Sequence, residues 1–146
     1  GYPRGSVRAE LSAEAVADKI RPVFSEENTP ALFAALNGDL SRLTPASLLT
    51  AAETDQPLQE IAAETVKKFC VMLQALHCLY AAEHVNLYGF GFTPEHLELI
   101  RKTAEEFAGE AFAQSILLCP IGDRYHFLSG CTYIIQAGFY QRGGLV

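Results

Sequence analysis

The chain has 146 residues, of which 49% are apolar, four are cysteine and none is tryptophan, and seventeen acidic side chains against eleven basic ones give a formal charge of −6. That is enough apolar material for one compact domain whose core needs no disulfide or metal staple. The basic residues are scattered singly or as the pairs Lys67-Lys68 and Arg101-Lys102, which argues against nucleic acid and anionic membranes as partners, because both demand a clustered basic face.

The first ten residues read as an N-terminal arm. Gly1 to Ala9 hold Arg4 and Arg8 but no acidic residue, and there is no initial Met. This pattern fits either an engineered or fragment boundary or the mature end left by removal of a basic, acid-poor transit peptide. With Gly1, Pro3 and Gly5 giving it little to pack, the arm is expected to be flexible or to lie on a partner. The helical domain is expected over 11–142, followed by a glycine-rich tail at 143–146.

Helix starts are the clearest signals. Ser12 is a good N-cap, with Leu11 and Val16 at the spacing of a hydrophobic staple, and predicts a helix running to about Arg21 and stopped by Pro22. Thr29-Pro30, Thr44-Pro45 and Thr93-Pro94 repeat one grammar. A threonine hydroxyl accepts from an orphan N–H, and a proline at the first helical position gives up a donor that has no partner there anyway. Leu43 and Leu48 flank the second of these pairs at staple spacing, as Phe92 and Leu97 flank the third. Asn37-Gly38 is the expected left-handed end of the Thr29-Pro30 helix.

The centrepiece is a long helix expected over about 58–86. Ile61, Thr65, Phe69, Leu73, Leu76, Tyr80 and Leu87 line one face, while Val71, Met72, Ala75, Leu79 and Ala82 cover the others. A helix apolar nearly all round is expected to be buried. The run 69–82 is interrupted by Gln74 and His77 and falls short of the roughly 20 apolar residues that a membrane span needs. The helix opened by Thr93-Pro94 reads as amphipathic through Phe112, with Glu98, Lys102, Glu105 and Glu106 on its polar side. Cys119-Pro120-Ile121-Gly122-Asp123 reads as a turn.

Residues 124–140 allow two readings. One is a hairpin pivoting on Ser129-Gly130, favoured by the β-branched and aromatic run 132–135; the other is a last helix, closed by Gln141-Arg142-Gly143-Gly144. The expected fold is therefore all-α: a single-domain bundle of about five or six helices around the buried helix at 58–86, with a short β-hairpin near the C-terminus as the alternative ending.

No motif identifies a family or a catalytic site. Cys70, Cys78, Cys119 and Cys131 lack the C-x-x-C spacing of zinc or redox sites, and Cys70 and Cys78 read as buried free thiols. Cys70, His77 and His84 are heptad-spaced, but positions seven apart on a helix are separated by ~10 Å of rise, too far to share one ion. His77 reads as a core histidine with a hydrogen-bond partner and His84 as a helix-end residue. Asp123, His126 and Ser129 have the chemical types of a hydrolytic triad without its nucleophile elbow. Gly89-Phe90-Gly91 has no third glycine or Lys-Ser/Thr pair of a phosphate loop. The expectation is no enzyme, no cofactor and no metal.

The loop at 87–92 does stand out, because a connection between helices is ordinarily polar and this one carries three aromatics on glycine hinges. Leu87 closes the core and Phe92 is a staple, leaving Tyr88 and Phe90. Tyr88, Phe90 and Phe92, with Phe139 and Tyr140 near the C-terminus, are the candidate partner-binding residues, since interface cores are enriched in aromatics. The expected function is a non-catalytic interaction or structural module, an accessory subunit or adaptor that meets a protein partner or a second copy of itself. The alternative is a small-molecule sensor or carrier with a pocket lined by Cys70, His77, Tyr80 and His84. Either fits an intracellular, soluble protein, located in an organelle if the N-terminus is processed.

Overall fold

The computed structural model describes residue 3 and residues 5–119. Among these, seven α-helices and two short strands follow in the order α1 (Val7–Leu11), α2 (Ala13–Ile20), α3 (Pro30–Leu36), α4 (Pro45–Ala52), α5 (Gln56–Tyr80), β1 (Val85–Leu87), α6 (Pro94–Ala108), α7 (Glu110–Ser115) and β2 (Ile116–Leu118). A single 3-10 turn, Leu40–Arg42, joins α3 to α4. The molecule is mostly helical, with a small parallel sheet that the all-α expectation did not include. The ending expected at 124–140, like Phe139, Tyr140, Cys131 and the Asp123, His126 and Ser129 group, lies outside the described residues.

Local signals shape most helix starts. The Ser12 hydroxyl accepts from Ala15 N at 3.2 Å and opens α2. Thr44 and Ser47 form a reciprocal capping box on α4, and Thr93 and His96 form one on α6; in each, two orphan donors are satisfied at once. The staple residues Leu43 and Leu48 are both buried. Helix α1 begins inside the segment read as an arm, at Val7, and crosses its expected boundary to end at Leu11, with Ser6 as its cap.

Thr29 departs from the pattern. Its hydroxyl donates to Ser25 O at 3.1 Å instead of capping α3. The cap comes from elsewhere: the buried carboxylate of Asp55 accepts from Ala31 N at 3.2 Å and Leu32 N at 2.9 Å. A negative group at a helix N-terminus satisfies the orphan donors and meets the positive end of the dipole. Asp55 sits immediately before α5, so this bond also ties the start of α5 to the start of α3.

Helix α5 corrects the expectation of a wholly buried helix over 58–86. It ends at Tyr80, because Ala81 turns left-handed at φ 46° and its N–H closes onto the carbonyls of His77 and Cys78. Its buried residues, Leu58, Ala62, Val66, Cys70 and Leu73, recur every three or four positions and so form one stripe, not a full circumference. Beyond Leu73 the large apolar side chains Leu76, Leu79 and Tyr80 are exposed. The helix expected to run from Thr93 through Phe112 is likewise two helices. Gly109, at φ 83° and ψ 166°, separates α6 from α7 in a conformation that a side-chain-bearing residue rarely adopts.

The core gathers Ile20 of α2, Leu32 and Leu36 of α3, Leu48 and Leu49 of α4, the α5 stripe, Ile100 and Ala104 of α6, and Ile116 of β2. After α5 the chain makes β1, crosses through α6 and α7, and returns in β2 parallel to β1, pairing Val85 with Ile116 and Leu87 with Leu118. A parallel pair needs such a crossover. The Arg101 guanidinium pins the return by donating twice to Ile116 O, at 2.9 and 2.8 Å.

Candidate functional site

The described residues enclose an apolar cavity of about 350 Å³. The α5 wall is Thr65, Val66, Phe69 and Met72, facing Leu43, Leu48 and Leu49 around α4. Ile100 of α6, Val7 and Leu11 of α1, and Ala13 and Val16 of α2 contribute further lining. Phe90 and Phe92 complete the lining. The volume is at the lower end of the range for small-molecule pockets, roughly 300–1,000 Å³.

Only Thr44 and Thr65 bring side-chain hydroxyls to this lining, and each is already engaged. Thr65 donates to Ile61 O at 2.7 Å within its own helix, and Thr44 accepts from Ser47 N at 3.1 Å in the capping box. No charged residue is among the lining side chains. Val7 and Phe90, each about half exposed, stand where the cavity meets solvent.

The aromatic loop is built around two left-handed glycines, Gly89 at φ 80° and Gly91 at φ 68°, which bracket Phe90. From Phe90 a chain of rings runs inward: Phe90 to Phe92 at 5.7 Å and Phe92 to Phe69 of α5 at 6.2 Å between centroids. Phe92 also meets the His96 ring edge-on at 6.2 Å. His96 is buried and held at both nitrogens: Nδ1 accepts from Thr93 N at 3.2 Å, and Nε2 lies 3.1 Å from the Thr50 hydroxyl. In the neutral ring the accepting role of Nδ1 leaves the proton on Nε2, which donates to Thr50. The histidine thus fixes the start of α6 against α4 and sets the backing on which Phe92 rests.

Helix α1 is fastened over its side of the cavity by charge. Glu10 pairs with Lys68 of α5, Lys68 also pairs with Glu64 at 2.7 Å, and Glu64 reaches Lys19 of α2 at 3.7 Å. The hydrogen bond from Lys68 holds the Glu10 carboxyl below the usual carboxylate range, helped by the Gly5 N–H. The same ammonium lowers Glu64, and the two carboxylates together raise Lys68.

The candidate residues read from sequence fall in several places. Phe90 is exposed on the loop, Phe92 is half-buried on the cavity wall, and Tyr88 is half-buried beside β1. Cys70, His77, Tyr80 and His84, expected to line a pocket, are not among the residues that line this cavity. Cys70 is fully buried, its thiol donating to Ile100 O at 3.4 Å, and burial pushes that thiol up to about 11. Tyr80 and His84 are exposed, and His84 precedes β1 instead of ending a helix. His77 packs edge-on against Phe112 at 5.4 Å, with its buried Nδ1 unbonded among the described residues instead of having the expected partner. Cys78 is exposed, not buried, because it follows the last covered turn of α5.

The cavity itself rests on residues that sequence reasoning treated as general core. Phe69 and Met72, the chain's one methionine, lie three apart on the face next to the buried stripe, and that offset is the signal available in the sequence. No cluster of three or more His, Cys, Asp or Glu side chains able to hold a metal occurs among the described residues. No helix among them is long and apolar enough to cross a membrane. No family model, curated protein or solved structure matches the chain.

Proposed function

We propose that this chain is a non-catalytic interaction module, an accessory part of a larger assembly that docks a protein partner on the C-terminal half of α5 and the aromatic loop beside it. The observation that supports the reading is the exposure of large apolar side chains there: Val71 51%, Leu76 42%, Leu79 74%, Tyr80 73% and Phe90 49%. Phe69, Met72, Leu76 and Tyr80 follow one another at helical spacing, so the face that begins at the cavity wall continues to the exposed end of the helix. Single exposed apolar residues are ordinary on protein surfaces, whereas a contiguous group marks an interaction site.

The partner is a second protein surface with apolar side chains to offer; a second copy of the chain is the simplest instance. Tyr80 and Phe90, with Tyr88 alongside, serve as anchors, since aromatics dominate the energetics of interfaces. The test is association of the full chain, by sedimentation and by quantitative capture from its source cells, compared with Leu79→Glu and Phe90→Ala. Loss of association in both variants at unchanged melting temperature is the expected result. Association equal to the parent in both overturns the reading.

A further inference from the structure

We propose that the cavity between α1, α4, α5 and the 87–92 loop is a binding site for an uncharged, hydrocarbon-rich small molecule that enters past Phe90. Three observations carry this. The first is size: about 350 Å³ accommodates a compact ring system or a short alkyl chain. It is too confined for a docked helix, about 10 Å across with its side chains.

The second is chemistry. The lining presents aliphatic and aromatic carbon from five helices and the loop, its two hydroxyls are taken up in bonds within α4 and α5, and no lining side chain carries charge. An occupant with a charge or an unpaired polar group loses its hydration there and finds no side chain to replace it. A hydrocarbon meets apolar contact on every wall. Met72 adds an adaptable thioether that conforms to ligands of differing outline.

The third is access. Phe90 is half exposed at the rim, packed on one side against Phe92 and flanked by Gly89 and Gly91, both at positive φ, so no Cβ on either neighbour opposes a rearrangement of the backbone that carries its ring. Phe92 behind it is fixed by Phe69 and His96. The loop therefore pairs a half-exposed ring between two glycines with a ring held against Phe69 and His96 on the wall. Met72→Trp and Leu79→Glu separate this inference from the docking reading, since the first fills the cavity and the second alters only the exposed helix face.

The experiment titrates the full chain with neutral N-phenylnaphthylamine and, in parallel, with its sulfonated analogue anilinonaphthalenesulfonate, which keeps the ring frame and adds one charge. The expected result is saturable one-to-one binding of the neutral probe with a raised melting temperature, and affinity for the sulfonate weaker by more than about tenfold. Met72→Trp is expected to weaken the neutral probe more than about tenfold by overfilling the site. Thr65→Leu serves as the milder filling variant should Met72→Trp fail to fold. Phe90→Ala is expected to speed both binding and release of the probe, and Leu79→Glu to leave its affinity unchanged. Absence of saturable binding, equal affinity for the two probes, or affinity that survives filling but is lost in Leu79→Glu overturns the proposal.

Discussion

The two ends of α5 meet opposite fates: the first carries more charge yet has its apolar stripe covered, and the second is richer in apolar residues yet leaves its large side chains exposed. From Leu58 to Leu73 one stripe is sealed by α2, α4 and α6, and Cys70 within it donates to the α6 backbone. From Leu76 to Tyr80 the same kind of side chain faces outward. An apolar residue contributes to the fold only when another element covers it, and what covers a helix is decided by residues distant in sequence. The half that is covered holds the molecule together; the half that is not is where we place the docking surface.

The sharpest way to test that division is truncation on each side of it. Leu58→Ala and Leu73→Ala are expected to cost about 2–5 kcal/mol each in denaturant unfolding, and Leu76→Ala less than about 1 kcal/mol. A large loss at Leu76 would move the boundary toward the helix end.

A smaller effect is expected where α5 is tied to α3. Asp55→Ala removes two buried acceptors from the start of α3, with an expected loss of about 1–3 kcal/mol. Thr29→Val, which removes a hydroxyl bonded to the Ser25 backbone and keeps the buried shape, is expected to lose less. At the other end of α5, Ala81→Gly is expected to stabilise the protein by up to about 1 kcal/mol, because glycine adopts the left-handed conformation without a Cβ penalty. A loss there would mean that the methyl group contributes packing that outweighs the strain.

Thiol chemistry reads the same division without altering the core. Cys78 is expected to react with a neutral alkylating reagent at once and Cys70 only upon unfolding, since Cys70 is buried and its thiol is pushed up to about 11. Assignment by mass spectrometry of the modified peptides checks this, and rapid modification of Cys70 would contradict its burial.

The smallest effect concerns the fastening of α1. Folded Glu10 and Glu64 are held below the usual carboxylate range, chiefly by the hydrogen bonds from Lys68. Their contribution is therefore present above that range and is lost as pH falls through it toward the folded values. Glu10→Gln is expected to flatten the acid side of the stability profile slightly. An unchanged profile would show that the pair is fully screened by solvent.

Signals confined to a few residues were legible in the sequence. Ser12, Thr44 and Thr93 cap as their neighbours imply, because both partners of each bond lie within one helical turn. Thr29 was misread as a cap because the group that takes its place, Asp55, comes from the far side of α4. The end of α5 was placed too late because Ala81 carries no glycine or asparagine signal for its left-handed turn. Strand β1 is three residues long and pairs across two helices with β2, too short for alternation to be seen. Phe90 and Phe92 were found as an anomaly of the loop, an aromatic run on glycines. The cavity they help line was not, since its existence depends on how α1 and α4 approach Phe69 and Met72.

Unfolding free energy and association, measured on the same Leu79→Glu protein, decide whether the uncovered end of α5 is a docking face. The expected result is an unfolding free energy within about 0.5 kcal/mol of the parent, as for a surface substitution, together with loss of association. A loss of several kcal/mol in stability would contradict it, because a charge is that costly only where the side chain is covered within the fold itself.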